Sequence, residues 1–78
     1  MTKAQARLLA KCPDKMFEFM KTQAQEHDAF ELFRAGMLDR RFDVYSMRAG
    51  GKSMNMRWAY RRTAAGREAL KSHSPDHG

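Results

Sequence analysis

The sequence predicts a small α+β domain in which three N-terminal helices precede a two-stranded basic hairpin and a short closing helix. Apolar residues recur at helical spacing as far as Gly36. From Phe42 the period drops to two, and it is again two from Met54 to Arg62, with Gly50-Gly51 between the runs as a hairpin signal. Thr63 then stands as a cap before a last helical run. Seventy-eight residues, 42% hydrophobic and 31% charged, allow one domain with one thin core.

The first helix spans Thr2 to Lys11, capped by Thr2, with Ala4, Leu8, Leu9 and Cys12 on its apolar side. Pro13 breaks it, because a residue before proline avoids the helical region. The same proline can open a second helix, in which Met16, Phe17, Met20 and Ala24 fall three and four apart. Asp28 with Glu31 has the form of a capping box and starts a third helix, running to Ala35 and ended by a left-handed Gly36. The first strand alternates Phe42, Val44 and Ser46 with Asp43, Tyr45 and Met47. The second places Met54, Met56, Trp58 and Tyr60 on one face, read as the hairpin's core face. The last helix covers Ala64 to Lys71, so residues 1–71 form the domain and 72–78 a disordered polar tail.

Cys12 is the lone cysteine, which excludes an intramolecular disulfide and every multi-cysteine zinc framework, and fits a reducing, cytoplasmic setting. Lys3, Arg7, Lys11, Asp14, Lys15 and Glu18 interrupt the first twenty residues, so neither a signal peptide nor a membrane span is expected there. Seven methionines suit an adaptable core or an adhesive surface.

The net charge of +6 is unevenly distributed. Bases and acids cancel from Met1 to Phe33, whereas Arg34 to Lys71 holds ten bases against three acids. Most of that excess surrounds the hairpin. Arg48 and Lys52 flank its glycine turn, Arg57 and Arg61 lie along its second strand, and Arg40 and Arg41 stand near its base. Arginine forks suit phosphate oxygens, so these six residues are the expected nucleic-acid contacts, acting through counterion release on duplex DNA. A solvated face that only keeps the chain soluble is the competing reading.

Two segments resemble a known family. Phe33-Arg34-Ala35-Gly36-Met37-Leu38-Asp39-Arg40-Arg41 is similar to the L-x-x-x-G-L-V-x-R segment that leaves the recognition helix in MarR-type and related regulators. Tyr60-Arg61-Arg62-Thr63-Ala64-Ala65-Gly66-Arg67-Glu68-Ala69-Leu70 resembles the W-x-L-T-x-A-G-R-x-A-L segment after the wing. The resemblance implies a winged helix-turn-helix domain that binds DNA, as a transcriptional regulator or a phage or mobile-element accessory factor. It also implies that Thr63 caps, Gly66 permits close packing and Leu70 returns to the core. One departure shifts the weight to the wing. The expected recognition helix carries Asp28 and Glu31 against Arg34, with Glu26 just before it, and acidic groups face phosphates poorly.

Trp58, Tyr60, Met54 and Met56 could instead stack single-stranded bases, but sharing one face favours core packing. Tyr45 and Met47, on the opposite parity to Val44, are candidate partner anchors. His73, Asp76 and His77 lack any recognised metal-ligand spacing, and no nucleophile–base arrangement, carboxylate pair or phosphate loop is present, so neither a cofactor nor enzyme activity is expected. The alternative to DNA binding is a protein-interaction module whose basic face docks on an acidic host surface, such as a nuclease or polymerase subunit. Homodimerisation fits both readings, since so short a chain builds a thin core.

Overall fold

The computed structural model describes residues 1–48, 50 and 53–72. Its elements run α1 (Lys3–Lys11), β1 (Glu18–Phe19), α2 (Gln23–Arg34), β2 (Leu38–Met47), β3 (Met54–Arg62) and α3 (Ala64–Ser72). The strands form one antiparallel sheet in the order β1-β3-β2.

This order corrects the expected layout of three helices followed by a two-stranded wing. Two helices precede the hairpin, and a short strand lies between them. The reason is local. Phe17 and Phe19 are half-buried on either side of the exposed Glu18, and Glu18 and Phe19 pair with Tyr60 and Ala59 on the open edge of β3. So short a stretch is compatible with either period, and here the unpaired edge of β3 decides it. Met16 and Ala24, expected on one helical stripe with Met20, are exposed, while Met20 is buried. Among the described residues, no pair of helices joined by a turn stands between β1 and β2.

The expected third helix also begins earlier. Thr22 caps α2, its hydroxyl accepting from the Gln25 amide at 3.1 Å, and the Gln25 side chain accepts from the Lys21 amide at 2.9 Å. Asp28 and Glu31 therefore lie within the helix instead of capping it. Gln23 to His27, a polar stretch with good helix formers, supplies the first turns.

Other boundaries match their local signals. Thr2 and Gln5 exchange a reciprocal capping box at the start of α1. Gly36, at φ +82°, ends α2, with the Gly36 amide donating to Phe33 and the Met37 amide to Leu32, the two bonds of a Schellman motif. Thr63 caps α3 by accepting from the Gly66 amide at 3.0 Å, and its hydroxyl donates to the Gly36 carbonyl at 2.8 Å. One threonine thus ties both helix ends together.

The core lies where α1, α2 and the base of the sheet meet. Leu8, Leu9, Cys12, Met20, Ala29, Leu32, Leu38 and Tyr60 form it, with Phe33, Met37, Ala69 and Leu70 against its rim. Its closest approach is at Gly66, where a side-chain methyl would overlap the Met37 carbonyl and stand 2.9 Å from Arg62 Cγ. Arg62 joins this core to α1. Its Nε donates to Asp14 at 2.7 Å, and its Nη1 donates to the Leu9 and Ala10 carbonyls at 3.0 and 3.2 Å, at the α1 C-terminus.

The hairpin reaches beyond the helices. Of the face expected to be core, only Tyr60 is buried; Met54, Met56 and Trp58 are exposed, and so are Phe42 and Val44 opposite them. The expectation of four core residues there is corrected for a geometric reason: a ten-residue strand spans about 33 Å, longer than the helices that could cover it. The molecule accordingly measures 51 × 21 × 18 Å. Ser72 belongs to α3, and the rest of the expected tail, residues 73–78, lies outside the described residues.

Candidate nucleic-acid interface

Strand period two divides the hairpin's charges. β2 and β3 pair Asp39 with Arg61, Arg41 with Ala59 and Asp43 with Arg57 on one face, and Arg40 with Tyr60, Phe42 with Trp58 and Val44 with Met56 on the other. Among the described members of the six expected contacts, Arg40 therefore stands on a different face from Arg41, Arg57 and Arg61.

Arg40 belongs to the face that meets α2. Its guanidinium lies 3.9 Å from the Trp58 ring centre, 4.3 Å from Phe33 and 5.5 Å from Phe30. A planar cation enclosed by three rings gains cation–π attraction at the cost of open contact with a phosphate. Arg41 and Arg61 share a single ring on the opposite side, at 4.5 and 4.6 Å from the centre of Phe17. Each has a carboxylate neighbour, Asp43 at 2.9 Å for Arg41 and Asp39 at 3.6 Å for Arg61. Arg57 is held more firmly, donating to Glu26 of α2 at 2.5 Å and to the Met20 carbonyl at 3.2 Å, with its guanidinium 4.5 Å from the Tyr45 ring. Tyr45, proposed from the sequence as a partner anchor, is the residue where the register shifts between Val44 and Ser46, and its ring meets Phe19 edge-on at 5.1 Å.

Arg48 is exposed beside the hairpin turn, where its amide donates to the Ser53 carbonyl at 3.0 Å. It has no carboxylate partner among the described residues. Lys52 lies outside the described residues. The strands' arginines are thus largely compensated by Asp39, Asp43 and Glu26.

Sequence reasoning overlooked two features. Phe17, assigned to a helix, is the aromatic support beneath Arg41 and Arg61; its alternation with Phe19 was the available signal. The second is on α1, where Lys3, Arg7 and Lys11 recur four residues apart, making one exposed row along the helix. α1 contains no acidic residue, and none of the three has a carboxylate partner among the described residues. The row borders a groove of about 230 Å³ between α1 and α2, lined in part by Gln25 and Asp28.

Cys12, at the C-terminal end of α1, is 3% exposed, and burial, reinforced by Glu18, raises its thiol pKa to about 11. It is a protonated core residue at neutral pH. No cluster of three potential metal-ligating side chains occurs among the described residues; His73, Asp76 and His77 are outside them. No described helix is long and apolar enough to cross a membrane.

No family model, curated protein or solved structure matches the chain.

Proposed function

We propose that this protein binds nucleic acid through the phosphate backbone, with little reading of base edges. The observation that carries the proposal is the uncompensated row Lys3, Arg7 and Lys11 on α1. Cations on successive helical turns stand about 6 Å apart, a spacing that follows a charged backbone. Arg48 extends the set at the hairpin, while the outer edges of Arg41 and Arg61, with side chains 59% and 41% exposed, can contact phosphate without leaving Phe17. Base reading is disfavoured because α2 carries Asp28 and Glu31 without basic partners among the described residues, and these anions repel the duplex.

Fluorescence anisotropy with labelled random duplex and single strand, at low and high salt, tests the reading. Wild-type protein is expected to bind duplex of any sequence with a steep loss on adding salt. The combined substitution Lys3→Ala, Arg7→Ala and Lys11→Ala is expected to reduce the slope of log K against log salt by about 2.7. Absence of duplex binding at low salt refutes the function; unchanged binding by the triple variant refutes the assignment to α1.

A further inference from the structure

On the side of the hairpin that carries Arg40, the residues beyond it are apolar in three successive register pairs: Phe42 with Trp58, Val44 with Met56, and Met47 with Met54. The register shift at Tyr45 keeps Met47 in this stripe, because Ser46 moves opposite Asn55 on the other face and bonds to its side-chain amide at 3.1 Å. All six are exposed, from 37% for Met56 to 59% for Met47. Together they offer on the order of 600 Å² to solvent, at the upper end of what a monomer's largest apolar patch usually shows.

We propose that this stripe is the interface of a homodimer, formed by two hairpins packed face to face about a two-fold axis. The area is the first argument. A standard interface buries about 800 Å² on each partner, and the stripe with Phe30 at its base supplies most of that. The second is self-complementarity. One end of the stripe is the rigid aromatic pair Phe42–Trp58, with ring centres 4.9 Å apart, and the other is the flexible pair Met47–Met54. An antiparallel two-fold arrangement lays each methionine end on the partner's aromatic end, a favourable sulfur–ring contact made twice. Val44 and Met56, midway along, then meet their own copies.

Charge selects a second copy over a nucleic-acid strand. A base-stacking platform needs cations along it to hold the phosphates. Here Arg41, Arg57 and Arg61 alternate onto the opposite face, and Arg40 is enclosed by rings. No charged residue of the described hairpin shares the stripe beyond Arg40. The molecule's extension agrees, since its radius of gyration of 14.1 Å exceeds the roughly 11.5 Å of a compact chain of this length. The projecting hairpin finds its missing second layer in its partner.

The inference stands independently of nucleic-acid binding. Sedimentation equilibrium from micromolar to millimolar protein, without nucleic acid, is expected to give twice the 9.0 kDa mass of one chain at the upper concentrations. Because the two copies carry like net charge and meet through apolar atoms, added salt is expected to strengthen the dimer. Met47→Lys with Met54→Lys changes two side chains already exposed in the monomer, and is expected to halve the mass while the circular dichroism stays unchanged. Val44→Cys is expected to form a disulfide-linked dimer on oxidation, while Arg41→Cys on the opposite face does not. Monomer mass at every concentration overturns the proposal, including the case in which the stripe proves to bind a different protein. A dimer that survives the double lysine substitution also overturns it, by placing the contact elsewhere.

Discussion

Replacing Gly66 with alanine is the most direct test of how the last helix is seated. In an exposed helix the exchange would stabilise by about 1 kcal/mol, because glycine pays more backbone entropy. Gly66 is buried within α3, and the added methyl would overlap the Met37 carbonyl and press on Arg62 Cγ at 2.9 Å and Leu9 Cδ1 at 3.2 Å. The side chains can rotate, but the carbonyl cannot withdraw freely, since it accepts the Thr63 amide at 3.1 Å and lies next to the Schellman motif of α2. Overpacking of this kind costs about 1–3 kcal/mol, and displacement of backbone places Gly66→Ala at the upper end, a net loss of about 2 kcal/mol once the helix gain is subtracted. A chain of this size has about 4–12 kcal/mol in total, so a loss of ~2 kcal/mol is a sizeable share. Urea unfolding, followed by circular dichroism, measures it. The control is Ala65→Gly at the exposed neighbouring position, expected to lose about 1 kcal/mol by helix propensity alone. A Gly66→Ala variant as stable as wild type, or more so, refutes the close approach of α3 to Met37.

Other consequences concern charge and access. The Arg62 hydrogen bond to Asp14, aided by the charges of Arg62 and Arg67, holds the Asp14 carboxyl below its ordinary 3.8. A carboxyl depressed on folding contributes stability that is complete above its unfolded pKa and is lost as pH falls through the folded one. The stability gap between wild type and Asp14→Asn is therefore expected to be full near neutrality and to close in acid; a gap that widens with acid refutes the pairing. Cys12, with its thiol raised to about 11, is expected to react with a thiol reagent at mildly alkaline pH only as fast as the chain opens, and rapidly in denaturant. Prompt labelling of the folded protein contradicts the core position. The Arg57 fork is already taken by Glu26 and the Met20 carbonyl, so Arg57→Ala is expected to lower duplex affinity less than Arg48→Ala, measured by anisotropy in the same salt; the reverse order would show that the Glu26 pair yields to phosphate.

Where one residue decides a boundary, the boundary was legible. Thr2, Gly36 and Thr63 set their helix ends through their own side chain or φ angle, and each acts as its residue type suggests. The segment from Pro13 to Lys21 was not legible, because Phe17 and Phe19 take the strand period only when β3 offers an unpaired edge, a contact more than thirty residues away. Asp28 and Glu31 made a capping box in the sequence, yet Thr22 lies six residues earlier and captures the helix start with a real hydroxyl bond. The arginines were correctly placed on the hairpin, but their partners were hidden. Glu26 is thirty-one residues from Arg57, and no sequence pattern announces that pair.

The same two-residue period accounts for both surfaces. Between Asp39 and Asp43, and between Arg57 and Arg61, every charge except Arg40 faces away from the apolar stripe, and Arg40 is covered by Trp58, Phe30 and Phe33. The strand therefore separates the two proposed kinds of association, which would depend on salt with opposite sign, because counterion release weakens phosphate binding as salt rises while apolar contact between like-charged copies tightens. A chain that simply carried a basic hairpin would need only the first. The carboxylates that quench the hairpin's arginines keep the charged face nearly neutral, which lowers the repulsion between two copies brought together at the opposite face. That compensation leaves the row Lys3, Arg7 and Lys11 on α1, with Arg48 by the hairpin turn, as cations without a carboxylate partner among the described residues, so the proposed phosphate contact would not compete with the proposed dimer contact for the same side chains.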